Sequence, residues 1–431
     1  MDAPTSGQGL EPPRPPGAHV SANARAYEED RLGFLLAAER AYGPIVQFDR
    51  GTTILNDPRL VHRILHDDDF RSRRKLLVED VLEDEQHSWL GLRLPDPGIR
   101  PPRVEGLALT VAQVVDEVFA DVTGAPAPAT EILDRVTSRA MTRFCFGNDE
   151  RGVTVAVGRL VDALAAIVEN PSTRPPSWPT PARSRARRRL RELQGLLEPL
   201  VRARALRPYG HADYATRLIN RRDDSGQAIE RVVMILIGIM LAAHRVPAAA
   251  SGWALMLSRG RAPTWSAVKT ESGVLAARRS SGAAMSLADL PATMAAVQES
   301  LRLYPPTWLL SREATSRVEV GGYRFAPGHR FMVSPYVLHR HASVFPDPEG
   351  FRPERWRATT FDMRARYLPF GAGTPTWPGS HLTTIVMIGT LLAATAWKVR
   401  VIDDDVRADA GTTLLPRGLA LEVLGRSTRG T

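Results

Sequence analysis

Glu299 and Arg302 lie three residues apart in Glu299-Ser300-Leu301-Arg302, a spacing that sets an acid and a base on one face of a helix, where they can pair. A second arginine, Arg355, follows in Phe351-Arg352-Pro353-Glu354-Arg355-Trp356. It could complete a planar fork on the Glu299 carboxylate. Such a trio holds parts together, so Glu299, Arg302 and Arg355 read as structural. Glu79-Asp80 and Glu83-Asp84 place carboxylates at helical spacing, the oxygen donors that Mg²⁺ prefers, although solvated acidic stretches have the same pattern. Cys145 is the single cysteine, which excludes an intramolecular disulfide and a cysteine-based metal cluster.

The elements that must position these groups follow from patterning. A chain of 431 residues can bury a sizeable core, and its apolar and charged fractions are those of a globular protein. The net charge of +9 comes almost entirely from arginine, a balance that suits nucleic acid, an anionic surface or an anionic ligand. The densest run, Arg183 to Glu192 (RSRARRRLRE), reads as a solvated helix face, and no nucleic-acid motif accompanies it. Pro and Gly in residues 1–24 predict a disordered tail without a signal pattern, followed by one domain over 25–425. Helical periodicity covers 25–42, 105–122, 129–146, 153–168, 183–205, 230–258, 287–304 and 383–397. Short strands are expected at 45–48 and 53–55, joined at Gly51 as a hairpin, and at 318–320, 323–325, 330–334, 398–403 and 420–424. The longest apolar stretch, 232–243, is too short to cross a membrane, and a cytoplasmic protein is expected.

Several motifs occur in a fixed order: Glu299 to Arg302, Tyr304-Pro305-Pro306, Ser311-Arg312-Glu313-Ala314, His339-Arg340, Phe345-Pro346-Asp347-Pro348, Phe351 to Trp356, and Tyr367-Leu368-Pro369-Phe370-Gly371-Ala372-Gly373. This series resembles the C-terminal half of cytochrome P450 enzymes. Leu241 to Ala250 (LAAHRVPAAA) is similar to their long oxygen-binding helix, and Asp69 to Arg74 to a segment before their substrate loop. The resemblance implies a mostly α fold with small β-sheets.

The resemblance also implies a cysteine thiolate on the haem iron after the Phe-Gly-x-Gly motif. Here Trp377 stands at that position and Pro375 at the preceding basic one. An indole nitrogen only donates hydrogen bonds and cannot replace a thiolate, so the expectation is a P450-like fold lacking the haem thiolate. Cys145 reads as a small buried hydrophobe. Arg245 and Val246 occupy the positions of the family's acid–alcohol pair and cannot relay protons. Pro247 removes a backbone donor and should kink this helix.

In the resembled family Arg312 and Arg103 would face a haem propionate. The expectation is therefore a vacated pocket in which Arg312, Arg103 and Trp377 bind an anionic ligand, with Arg245 and His244 as catalytic groups. Three functions are compatible. One is a haem-free, non-oxidative lyase of natural-product biosynthesis, foremost an isoprenoid (terpene) diphosphate cyclase. It would take a hydrophobic substrate bearing an anionic group, with Mg²⁺ as an optional cofactor on Glu79, Asp80, Glu83 and Asp84. The second is a catalytically silent accessory protein that activates a glycosyltransferase partner. The third is a haem protein with another axial ligand, such as His341 or His381.

Overall fold

The computed structural model describes residues 20–72, 101–148, 150–169, 180–207, 213–220, 229–280, 286–372 and 379–427. By contact density the chain divides into two compact units. One comprises residues up to 74, 302–350 and 358–376; the other comprises 75–301, 351–357 and 377–431.

The first unit is built on a five-stranded sheet. Its strands are β1 (Ile45–Asp49), β2 (Thr52–Leu55), β3 (Phe70–Ser72), β5 (Leu310–Ala314) and β8 (Arg330–Val333), in the order β1-β2-β8-β5-β3. The sequence-predicted hairpin at Gly51 joins β1 to β2, and β2 runs parallel to β8. A second hairpin, β6 (Val318–Val320) with β7 (Tyr323–Phe325), turns on Gly321 and Gly322. Both glycines have positive φ, a backbone that side chains with a Cβ rarely adopt. Helices α1 (Val20–Glu29), α2 (Arg31–Tyr42) and α3 (Pro58–His66) precede and interleave with the sheet. Asp30 splits the helix expected from residue 25 to 42, because its carboxylate caps α2 through Gly33 N. One apolar cluster, including Leu55, Ile64, Phe70, Phe331 and Val333, unites α3 with the sheet.

The second unit is helical. It contains α4 (Pro101–Asp121), α5 (Ala129–Phe146), α6 (Arg151–Glu169), α7 (Pro181–Ala205), α8 (Tyr214–Asn220), α9 (Ile229–Ala242), α10 (Arg245–Arg259), α11 (Ala262–Ser280) and most of α12 (Pro291–Leu303). The first unit adds α13 (Pro335–Leu338) and α14 (Phe361–Arg366); the second closes with α15 (Gly379–Ala394). Strand β4 (Pro126–Pro128) pairs with β12 (Ala420–Arg426), which pairs with β9 (Trp397–Ile402). Strands β10 (Arg407–Ala410) and β11 (Leu414–Arg417) form a separate ribbon. Buried Trp253 on α10 donates its indole N–H to Leu414 O at 2.9 Å, tying the ribbon to the core.

The apolar stretch expected as one helix over 230–258 is two helices, α9 and α10, interrupted at Ala243 and His244. Pro247 is the third residue of α10, where its missing N–H has no intrahelical acceptor to lose. By length and apolarity alone these residues could cross a membrane, yet 72% of the qualifying window is buried in the protein. They form a core element. Sequence periodicity did not single out α8, α11, β3, β5 or the β10–β11 ribbon. Residues 1–19 of the expected tail lie outside the described residues, and α1 starts at Val20.

Helices α4 and α15 approach closely at Gly389, where an added Cβ would meet Val111 Cγ1 at 2.8 Å and Ala108 O at 3.1 Å. Gly389→Ala is expected to lower unfolding free energy by about 1–3 kcal/mol through overpacking, as measured by urea denaturation. An unchanged midpoint would show that this contact is looser than described.

Candidate functional site

Glu299 is fully buried on α12. Its Oε1 accepts from Arg352 N at 3.0 Å and Arg355 Nε at 2.9 Å, and its Oε2 accepts from Trp356 Nε1 at 2.8 Å. The expected fork is therefore present, with an indole as an additional donor that the sequence did not announce. Glu354 in the same turn takes both terminal nitrogens of Arg261. That hydrogen bonding holds its carboxyl at about 2.

Arg302 turns to backbone carbonyls instead. Its Nη1 donates to His339 O at 3.0 Å and Pro348 O at 2.7 Å, and its Nη2 to Gly350 O at 3.0 Å. Its guanidinium also lies over the Phe345 ring. The return contact comes from His339, fully buried and stacked on Tyr367. His339 Nδ1 is 3.0 Å from Arg302 O, and Leu368 N donates to His339 Nε2 at 2.8 Å. These partners demand a neutral ring with its proton on Nδ1. Burial pushes the imidazole down to about 3, consistent with that state.

Leu368 opens the Phe-Gly-x-Gly loop, which is fastened residue by residue as far as Ala372. Thr307 N donates to Pro369 O at 3.0 Å and Gly371 N to Leu368 O at 3.0 Å. Gly371 has φ +79°, and a Cβ there would meet Leu310 at 3.1 Å. Buried Arg312 donates to Ala372 O and Ser311 O, each at 3.2 Å. The expected ligand-binding arginine thus secures the loop backbone. Pro375 and Trp377 lie outside the described residues, as do Glu79, Asp80, Glu83 and Asp84. Arg103 belongs to the first turn of α4, and its side chain is not among those described. No group of three or more metal-ligating side chains occurs among the described residues.

In the second unit, the two expected catalytic residues sit at the break between α9 and α10. Arg245 Nη2 donates to Asp162 Oδ1 on α6 at 2.7 Å, so this cation has a local carboxylate. That removes the premise that it needs an anionic ligand. His244 is buried, and its Nδ1 faces Asp134 Oδ1 on α5 at 3.7 Å, too far for a hydrogen bond. Neither atom has another partner among the described residues. Desolvation lowers the imidazole to about 4 and raises the carboxyl to about 7. Thr137 Oγ1 bonds the carbonyl of His244 at 3.1 Å, securing the break. Cys145 is buried in α5, and desolvation raises its thiol far above the ordinary range. His341 is half-buried beside Ser343 Oγ, and His381 is exposed in the first turn of α15.

The cytochrome P450 family model matches residues 12–395. The chain belongs to the cytochrome P450 family. Cyclooctat-9-en-7-ol 5-monooxygenase of Streptomyces melanosporofaciens is 27% identical, over 88% of this chain and 86% of that protein. Cyclooctatin synthase of the same organism is 30% identical over 65% of this chain and 62% of its own length. The crystal structure of the haem domain of cytochrome P450DA superposes with a TM-score of 0.78 at 19% identity, covering 97% of this chain and 98% of that one. The mostly helical P450 fold expected from the motif series is therefore present.

These findings overturn the expectation of a haem-free terpene cyclase or lyase, together with its absent haem and optional Mg²⁺. Family membership and the monooxygenase relative point to an oxidative haem P450. The sequence-based expectation set two departures, Trp377 with Pro375 and Arg245 with Val246, against the whole cofactor. It also counted Arg245 and Arg312 as unpaired cations, whereas each has partners of its own. The silent accessory role fails with it. The disagreement with a cysteinate-bound haem stands on the chain itself. The only thiol is buried among α5 residues with its proton held, and the loop position carries an indole. The residues present do not fit thiolate ligation.

Two outcomes are expected. Glu299→Gln should lower stability by about 3–5 kcal/mol, because it strips a buried arginine of its counter-charge; a urea midpoint within error of the parent would refute the clamp. His339 is neutral in the fold but charges in the unfolded chain below its ordinary value of 6.5. The stability it confers is complete above that value and is lost as pH falls toward about 3. His339→Phe should therefore flatten the acid limb of the stability–pH curve, and parallel curves would refute this assignment.

Proposed function

We propose that the protein is a haem-dependent oxidative P450 that acts on a hydrophobic, ring-containing small molecule, and that its iron is held by a donor other than cysteine. The observation that carries this reading is the end-to-end likeness to cyclooctat-9-en-7-ol 5-monooxygenase. It is supported by the fastened frame around the Phe-Gly-x-Gly loop, where Arg302, His339 and Arg312 all have partners. Such a frame fixes a loop backbone to a fraction of an ångström, the tolerance a cofactor loop requires. A cytoplasmic location belongs to the same reading.

The axial donor is the point at which this chain departs from its family. A thiolate pushes electron density onto the iron, and neither Trp377 nor Cys145 supplies one. The chain's own residues have definable tasks. Arg312 donates to the Ala372 carbonyl, His339 holds Leu368 N, and the Arg245–Asp162 pair fixes the start of α10. Val246 offers no hydroxyl for a proton relay.

Haem titration of the purified protein tests the reading. A saturable Soret band is expected, and the reduced carbon monoxide complex should absorb where neutral-donor haems do. Trp377→Cys should move that band to the thiolate position, and Cys145→Ser should leave it unchanged. No Soret band at any haem concentration would overturn the cofactor assignment. With haem bound, cyclooctat-9-en-7-ol and related cyclic alcohols should perturb the Soret band. With dioxygen and an electron donor, they should gain one oxygen atom. A haem-loaded protein that neither binds nor oxidises them would overturn the substrate class.

A further inference from the structure

A groove of about 320 Å³ in the second unit lies apart from every residue discussed above. It is lined by Arg259 at the end of α10, Trp265 and Lys269 on α11, and Trp397, Lys398 and Arg400 on β9. Its volume is that of a site for one small ligand. No carboxylate belongs to its lining.

Sequence and geometry agree on its chemistry. The chain is rich in arginine but has only three lysines, Lys75, Lys269 and Lys398. Two of the three line this one groove. A lysine ammonium is a compact cation with rotatable donors, suited to a small anionic group. Both lysines are exposed, and neither forms a hydrogen bond or ion pair among the described residues. The arginines are already engaged: Arg259 donates to Val399 O and lies over the Trp265 ring at 4.9 Å, and Arg400 pairs with Glu422. Desolvation lowers the Arg259 guanidinium from its usual value, so an anion nearby would relieve it.

One wall is aromatic. Trp265 and Lys269 are four residues apart on α11 and share a face. Alternation along β9 sends Lys398 and Arg400 to one face of the strand and Trp397 to the other, where it is 5% exposed with Arg426 over its ring at 4.9 Å. Trp397 is fixed by its indole N–H to Asp116 Oδ1 at 2.7 Å and by an edge contact with Phe119, and it backs the groove. The partly exposed Trp265 indole with ammonium groups beside it recognises flat rings carrying negative charge.

We propose that this groove binds an aromatic anion, a flat ring system bearing a carboxylate, sulfonate or phosphate. The ring lies against Trp265, and the anionic group meets Lys269 and Lys398. The scarcity of lysine makes the site directly measurable. Amine-reactive labelling of the full-length protein, read by peptide mass spectrometry, reports Lys269 and Lys398 separately, with Lys75 as the internal control.

Naphthalene-2-sulfonate is the probe. It should slow labelling of Lys269 and Lys398 saturably while Lys75 is unaffected, and calorimetry should give one site per chain. Sodium sulfate and 2-naphthol should each need roughly tenfold higher concentration for the same protection, because each offers only half of the recognition. The Lys269→Glu/Lys398→Glu double variant changes two exposed side chains, should keep the parent circular dichroism, and should lose binding by roughly tenfold or more. Equal protection of all three lysines would overturn the proposal, as would none at all. Sulfate as effective as the sulfonate would reduce the site to a simple basic patch and overturn the aromatic component. Undiminished binding by the double variant would overturn the anionic component.

Discussion

A carboxylate with no exposure to water, Glu299, gathers three donors from one short segment: Arg352 N, Arg355 Nε and Trp356 Nε1. A buried charge persists only when it is paired and its remaining lone pairs are satisfied. This condition forces residues 351–357 to adopt a single arrangement on α12. The same helix ends in Arg302, whose guanidinium performs the mirror task with carbonyls from residues 339, 348 and 350. One acid gathering donors and one base gathering acceptors leave this part of the chain little freedom.

From Arg302 the order passes to the Phe-Gly-x-Gly loop through a single ring. His339 takes the Arg302 carbonyl on one nitrogen and Leu368 N on the other, a link that works only for a neutral imidazole. Arg312 then closes on Ala372 O. The frame of a P450 is thereby retained up to the residues where the family places its iron ligand. Beyond them the sequence reads Pro375 and Trp377. The break between α9 and α10 shows a comparable pattern of kept position and changed chemistry. His244 is buried beside the half-buried Asp134 without a bond, and Arg245 is directed to Asp162.

Much of this was legible in the sequence. The Glu299–Arg355 pairing, the Gly51 hairpin, the boundaries of α5 and the disruption by Pro247 all follow from residue type and spacing. What was not legible depends on partners without a sequence signature. Backbone atoms of Arg302 and Leu368 decide the role of His339, and no spacing rule points from Arg245 to Asp162. The anionic pocket inferred from arginine content loses the support of Arg245 and Arg312 for that reason: a cation counted in a sequence carries no record of its partners. Helix α11 escaped notice because its periodicity is weak, with Val268 fully buried among largely exposed neighbours. The expected absence of haem fails in a different way, because Trp377, Pro375, Arg245 and Val246 are local changes set against a frame and relatives that point to haem.

The account holds that this frame carries haem without a cysteinate. Resonance Raman spectroscopy of the haem-loaded ferric protein, excited in the Soret band, tests this most directly. The predicted spectrum has no iron–sulfur stretch and is unaltered by Cys145→Ser. An iron–sulfur stretch in the parent protein would contradict the account.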